Sequence, residues 1–519
     1  MTGATALARR TAERLKRLDA ERVVQRIWQR DPTVWSSDPH APELADRLGW
    51  LDLPATMPAR VPQIVDFAER ARGRFDRVVL CGMGGSSLAP EVVWRVCGGR
   101  TGYPRLHLLD STHPAAVAAA APEAALPRTL FLIASKSGTT IETASFDRYF
   151  WERTGGNGSQ FVAVTDPGTT LARSAAARGF AQVFESPPDV GGRFSALAPF
   201  GLVPAALIGL DLGRLLGAAA EEAERLRRPA AENPGAVLGA LIGEGWAAGR
   251  DKLTLVWDDA LASIGLWVEQ LVAESTGKQG RGVLPVTGEA PGALTGDEPD
   301  RVWFARTRRA PAGEVGALLA RIRERGAPLD AGVLADSSDL GALFLRFEFA
   351  TAVAGAILGV NPFDQPNVAE SKMHTARVLA TGVPPSPPDD AAALRRWLDG
   401  VRPGDYAAVM AYLAPGSATD ARLTAVQHAL GARLGVAVTV GYGPRFLHST
   451  GQLHKGGPPV GHFLQIVDRL ADEIPIPGDS YGFGRLIAAQ AEGDLQALRA
   501  RGRPAVRVED WTALEALVA

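Results

Sequence analysis

The chain has 519 residues, 46% of them hydrophobic and 22% charged, with a formal net charge of −2 and two cysteines. That length is too great for one core and sets an expectation of about three compact units, most simply two large domains with helical extras. The composition excludes a disordered chain, the near-zero charge argues against nucleic-acid binding, and Cys81 and Cys97 cannot form a disulfide framework at this size, so a reducing, cytoplasmic setting is expected.

Residues 1 to about 70 read as helices, with Leu15, Leu18, Val23, Val24 and Ile27 near helical spacing over 12–28. The N-terminal stretch is charged and has no apolar segment of signal-peptide type. From about residue 76 short apolar strands alternate with helices. Strands are expected at Arg77–Cys81, Leu106–Asp110, Thr129–Ala134 and Phe161–Thr165, with crossover helices over Leu88–Val96 and Ile141–Phe150. The apolar run Phe194–Leu210 carries Pro199 and Pro204 and falls short of a membrane span, so no membrane association is expected. A second round follows: strand Lys252–Trp257, helix Leu261–Ser275, a long buried helix Leu340–Val360, and strands near Ala407–Tyr412, Val436–Val440 and Phe463–Val467. Pro384–Asp390 is a loop, and helix Phe483–Arg499 closes the chain. The pattern predicts an α/β protein of two units, each a parallel sheet flanked by helices, behind a helical N-terminal extension. The boundaries expected are 1–70 for the helical segment, 71–235 for the first unit and 236–519 for the second.

Six segments carry chemistry. Cys81-Gly-Met-Gly-Gly-Ser-Ser87 lies between a strand and a helix, where glycines let backbone N–H groups point at an anion. It admits a dinucleotide reading, with Asp110 as the ribose acid, but lacks the third glycine of that fingerprint. Ser135-Lys-Ser-Gly-Thr-Thr140 gathers four hydroxyls, a lysine and a helix N-terminus in six residues, which suits a phosphate. A nicotinamide fold has no need of this second cup. Gln270 and Glu274 stand i, i+4 on one helix, and Glu274 falls in its last turn, where the negative end of the dipole tends to raise a carboxyl pKa and improve it as a base. Gly191-Gly-Arg-Phe-Ser195 offers Arg193 to an anionic intermediate. Asn361-Pro-Phe-Asp-Gln-Pro-Asn367 is a turn into a helix bearing Lys372, and Leu447–Gly457 gathers His448, His454 and Lys455. The two histidines have no cysteine or acid at metal-ligand spacing, so no metal is expected. Only six of the 55 basic residues are lysines, and four of them (Lys136, Lys278, Lys372, Lys455) fall in these segments, which gives them modest extra weight as functional groups.

Assembled, CGMGGSS, SKSGTT, GGRFSALAP, EQLVAESTGK, NPFDQPNVAESK and LHSTGQ resemble the glucose-6-phosphate isomerase family, built from two sugar-isomerase (SIS) domains of three αβα layers. RFLHSTGQLHKGGP resembles the isomerase half of fused transaldolase/isomerase proteins. The resemblance implies reversible conversion of glucose 6-phosphate to fructose 6-phosphate in glycolysis and gluconeogenesis, without cofactor. It implies that Gly85, Ser86, Ser135, Lys136, Ser137 and Thr140 hold the phosphate and that Glu274 moves a proton through a cis-enediolate. Gln270 and Arg193 would line the site, with Arg193 stabilising the enediolate, while His448 and Lys372 would act in ring opening. A homodimer is implied as well. The family places its histidine segment soon after the ESxGK helix, whereas here LHSTGQ follows the FDQ segment, so His454 and Lys455 stand as alternatives for ring opening. Two alternatives stand beside it: an isomerase that also accepts mannose 6-phosphate, and a non-catalytic SIS sensor of sugar phosphates, which would keep the serine-rich cup but has no reason to keep the Gln270/Glu274 pair or Lys372.

Overall fold

In the computed structural model, residues 3–382, 385–469, 473–509, 511 and 514–515 are described; Pro384 of the expected loop lies outside them. The N-terminal helical pattern is two helices, Gly3–Ala20 and Val23–Trp28, broken where Arg22 takes a left-handed conformation (φ 55°).

The first sheet contains β1 (Arg77–Gly82), β2 (Arg105–Leu109), β3 (Thr129–Ala134), β4 (Phe161–Thr165) and β5 (Gln182–Glu185), all parallel in the order β2-β1-β3-β4-β5. Alternation along the strands separates two cores. Val78, Leu80, Leu130 and Leu132 pack with Ile64, Phe67, Val92 and Leu202 on one face. On the other, Val79, Cys81, Phe131 and Ile133 pack with Phe146, Phe150 and, from the far end of the chain, Phe483. The order of strand addition switches sides between β1 and β3, and there Gly82 pairs with Ala134. A parallel sheet opens a crevice at such a point, beyond the carboxyl ends of its strands. The glycine loop and the hydroxyl loop begin at those two residues.

The expected α/β class is what the chain adopts, but the stretch from residue 236 onward carries two sheets where the sequence predicts one. The middle sheet has order β7-β6-β8-β9, with β6 (Lys252–Trp257), β7 (Leu284–Val286), β8 (Arg301–Thr307) and β9 (Leu329–Val333). The last has order β11-β10-β12-β13, with β10 (Tyr406–Tyr412), β11 (Ala437–Tyr442), β12 (Gly461–Val467) and β13 (Ala505–Val508). The strands absent from the sequence reading are short or charged. β8 places Arg301 and Arg306 inside a fully buried strand, where they pair with Glu289 and Asp330. Sequence inspection sees these arginines as interruptions; the fold neutralises them.

The Leu340–Leu358 helix supplies the centre of the core shared by the N-terminal helices and the first two sheets. Counted from Ser337 it is long and apolar enough to cross a membrane, but 78% of that window is buried inside the protein. The C-terminal sheet docks back on the first through the Phe483–Ala500 helix: Phe483 stacks on Phe146 and Gln490 reaches Thr112 and Glu142.

Candidate active site

The Ile264–Thr276 helix presents Gln270 and Glu274 to one place, as their spacing predicts. Gln270 Nε2 donates to Glu274 Oε2 (3.1 Å) and to the His448 carbonyl (2.8 Å). Arg193, only 3% exposed, brings Nη1 to 3.3 Å from Glu274 Oε1. The rest of its guanidinium is held by Ser275 Oγ (2.7 Å), Gln365 Oε1 (2.8 Å) and the carbonyls of Pro362 (2.6 Å) and Asp364 (3.0 Å). A cation fixed by four neutral acceptors faces the base, offsetting the negative helix end at which Glu274 sits.

The glycine loop closes one side of this cluster. Gly84 has φ 55°, and a side chain there would meet Gln270 Nε2 and the His448 carbonyl, each at 2.8 Å. A Cβ on Gly85 would fall 1.9 Å from the Gly192 carbonyl oxygen, so the two glycine loops touch backbone to backbone. Ser86 is buried beside them. In the hydroxyl loop Ser135 Oγ lies 3.1 Å from Thr140 Oγ1 and accepts from the Gly138 N–H, while Ser137 Oγ and Thr139 Oγ1 are 3.0 Å apart. Thr140 is the N-cap of the Ile141–Arg153 helix, yet its side chain caps no amide, which leaves the first N–H groups open to an anion. Lys136 is turned away from its neighbours' hydroxyls: its ammonium pairs with Asp166 and donates to the Pro188 carbonyl (3.0 Å).

His448 is brought to the cluster despite its place late in the chain. Its Nε2 is 3.1 Å from Glu142 Oε1, and the same oxygen accepts from Gln490 Nε2 (2.7 Å). Burial works against the charged form of Glu142, but the field and hydrogen bond of His448, helped by Lys372, outweigh it and hold its pKa below the ordinary value. Lys372 itself is exposed on the Val368–Thr381 helix. The other two ring-opening candidates stand elsewhere. Lys455 Nζ forms a buried pair with Asp494 (2.6 Å), and His454 lies among the rings of Tyr406, Phe446 and Phe463, with neither ring nitrogen hydrogen-bonded among the described residues.

Several groups at the site have no assigned role in the sequence reading, where Lys278 alone among them carries weight as a lysine within the motif segments. Glu142 follows the hydroxyl loop by two residues and looks there like a first-turn acid of a helix. Ser275, Asp364 and Gln365 sit inside segments already singled out, but only contact reveals that they orient Arg193. Lys278 Nζ binds the Asn361 carbonyl (2.6 Å) and Asp364 Oδ1 (2.5 Å). Burial and the nearby Arg193 cation lower its pKa to about 8 against the opposing pull of Asp364.

Residues 65–284 match the family model described as Phosphoglucose isomerase. The chain is 34% identical over 396 residues to the glucose-6-phosphate isomerase of Rubrobacter xylanophilus, an alignment covering 64% of this chain and 89% of that one. The chain belongs to the glucose-6-phosphate isomerase family. It is also similar, at 26% identity over 393 residues, to the enzyme of that name from Carboxydothermus hydrogenoformans, with 64% of this chain and 85% of that one covered. Among solved structures, a hypothetical protein from Thermus thermophilus superposes with a TM-score of 0.62 at 26% identity, covering 72% of this chain and 99% of that one. A glucose-6-phosphate isomerase from Chlamydia trachomatis shares the fold, with a TM-score of 0.54 at 20% identity over 72% of this chain and 81% of that one. As a member of that family, this isomerase interconverts glucose 6-phosphate and fructose 6-phosphate.

Proposed function

We propose that this isomerase performs the reaction by proton transfer with Glu274 as the single base. Gly85, Ser86 and the hydroxyls and amides of residues 135–140 hold the phosphate, so that binding energy remote from the reacting carbons orients them. The His448 imidazole, oriented by Glu142, assists opening of the sugar ring, with the Lys372 charge nearby. The C2 proton then leaves to Glu274 and the C1 carbonyl takes the electron pair as an enediolate. The O2 hydroxyl proton passes to O1, and Glu274 returns its proton to C1, leaving the carbonyl at C2. An α-proton of a sugar is far less acidic than a carboxylic acid, so the oxyanion needs a preorganised cation. Arg193 fills that role in this reading. The observation that carries it is the contact between Glu274 and a buried guanidinium whose other hydrogen bonds are all to uncharged acceptors.

Fructose 6-phosphate turned over in heavy water tests it. Deuterium is expected at C2 of the glucose 6-phosphate formed. E274Q is expected to lose at least about a thousandfold in kcat while still binding sugar phosphate by calorimetry. Loss of binding together with activity would make Glu274 a structural residue.

A cytoplasmic location and a homodimer complete the proposal. Two free thiols, Cys81 and Cys97, suit a reducing compartment.

A further inference from the structure

Arg445 is three residues before His448, in the short helical turn Arg445–His448 that follows β11. Its guanidinium donates a hydrogen bond from Nη2 to Asp110 Oδ1 (2.9 Å), and it is ion-paired through Nε 2.7 Å from Asp110 Oδ2 and Nη1 2.9 Å from Glu91 Oε2. Both carboxylates are nearly buried and both belong to the first unit. Glu91 lies in the Leu88–Cys97 helix that leaves the glycine loop, and Asp110 follows β2, the strand beside β1. The clamp therefore ties the turn carrying His448 to the frame on which the phosphate loop is built. Asp110, which sequence offers as a ribose ligand, is occupied by this contact.

Geometry gives the clamp a purpose. The imidazole is carried by a late segment that has no covalent neighbour in the first unit. Its remaining site contacts are one backbone hydrogen bond from Gln270 and one ring contact with Glu142. Phe446 and Leu447 anchor the turn in the core of the last sheet, so its placement against the first unit rests on those two contacts and on the guanidinium held between two carboxylates of that unit. We propose that Arg445 is a positioning residue for His448: by bridging Asp110 and Glu91 it sets the imidazole at the ring oxygen, and it touches no reacting atom. This rests on the ring-opening role given to His448 above.

Replacing Arg445 alone would strand two buried carboxylates, so the test uses the charge-compensated triple variant R445M/E91Q/D110N beside R445K and H448N. The readouts are kcat for glucose 6-phosphate, Kd for acyclic glucitol 6-phosphate by calorimetry, and the Hε1 resonance of His448, identified as the one missing in H448N. The triple variant is expected to lose at least about tenfold in kcat, to keep Kd for the open-chain polyol within twofold, and to shift the Hε1 resonance. R445K, which keeps the charge but not the guanidinium, is expected to fall between. A Kd that weakens in step with kcat would make Arg445 a structural residue, and an unchanged kcat or an unmoved resonance would also overturn the proposal. H448N separates the two readings. Wild-type turnover in H448N removes the ring-opening role itself, whereas loss in H448N with none in the Arg445 variants removes only the positioning role.

Discussion

Lys136 belongs by sequence to the hydroxyl loop and by contact to Asp166. An ammonium already paired gives little further to an incoming phosphate, while neutral hydroxyls and open helix amides give much, because no prior partner has to be displaced. K136M is therefore expected to raise KM for glucose 6-phosphate by no more than about threefold. S137A/T140A is expected to raise it about tenfold to a hundredfold, the effect of losing hydrogen bonds to a charged group. Steady-state kinetics of the two variants decides between them; the reverse order would mean that the lysine swings to the ligand. Arg193 shows the same lesson from the other side. Sequence finds it between glycines, but the acceptors that hold it come from residues 275 and 362–365, and only the folded chain brings them within 3.0 Å.

At the scale of the helix, Ile264–Thr276 faces two environments at neighbouring positions. Gln270 points to the site, whereas Glu269 lines a cavity of about 770 Å³ between the middle and C-terminal sheets. Burial raises the Glu269 pKa to about 8, opposed by the Arg445 cation. The folded protein thus holds a proton that the unfolded chain releases near the ordinary carboxyl pKa of 4.5. A raised folded-state pKa means stability that is complete below about 4.5 and declines as pH rises, levelling off above about 8. E269Q removes that slope. Its Tm is expected to match wild type near pH 4.5 and to exceed it by several degrees at pH 8–9, from a difference on the order of a few kcal/mol. Thermal melts across that range check it, and parallel curves for the two proteins would refute it. Glu348 is a more buried case: on the Leu340–Leu358 helix, with both oxygens unpaired among the described residues, its pKa is pushed well up by burial. Charge in the sequence is a poor guide to charge in the fold at such positions.

The molecule as a whole joins its site from distant parts of one chain. The phosphate loops come from the first sheet, the base from residue 274, the guanidinium from 193, and His448 from the edge of the last sheet. Gln270, Glu274, Arg193, Glu142 and His448 thus meet through the folding of one chain. Specific activity on dilution to concentrations at which sedimentation shows a monomer tests what the proposed homodimer adds: constancy within twofold would mean that one chain completes the site. A fall in step with dissociation would mean that a partner subunit completes the site.

The elements that sequence alone determined are those whose signal is local. Apolar runs buried on both faces announce β3, β4 and β6 to the residue, glycine and hydroxyl clusters mark turns into helices, and the i, i+4 pair sets Gln270 and Glu274 on one face. The motif set also carried the family. Tertiary structure alone decided what depends on contacts across hundreds of residues: the division of the second half into two sheets, the burial of Arg301 and Arg306 in β8, the union of His448 with Glu142, and the removal of Lys136 and Lys455 into ion pairs. The reason is physical. A charged side chain has the same letter whether it meets solvent, a substrate or a buried partner, and only the packed chain decides which of the three it faces.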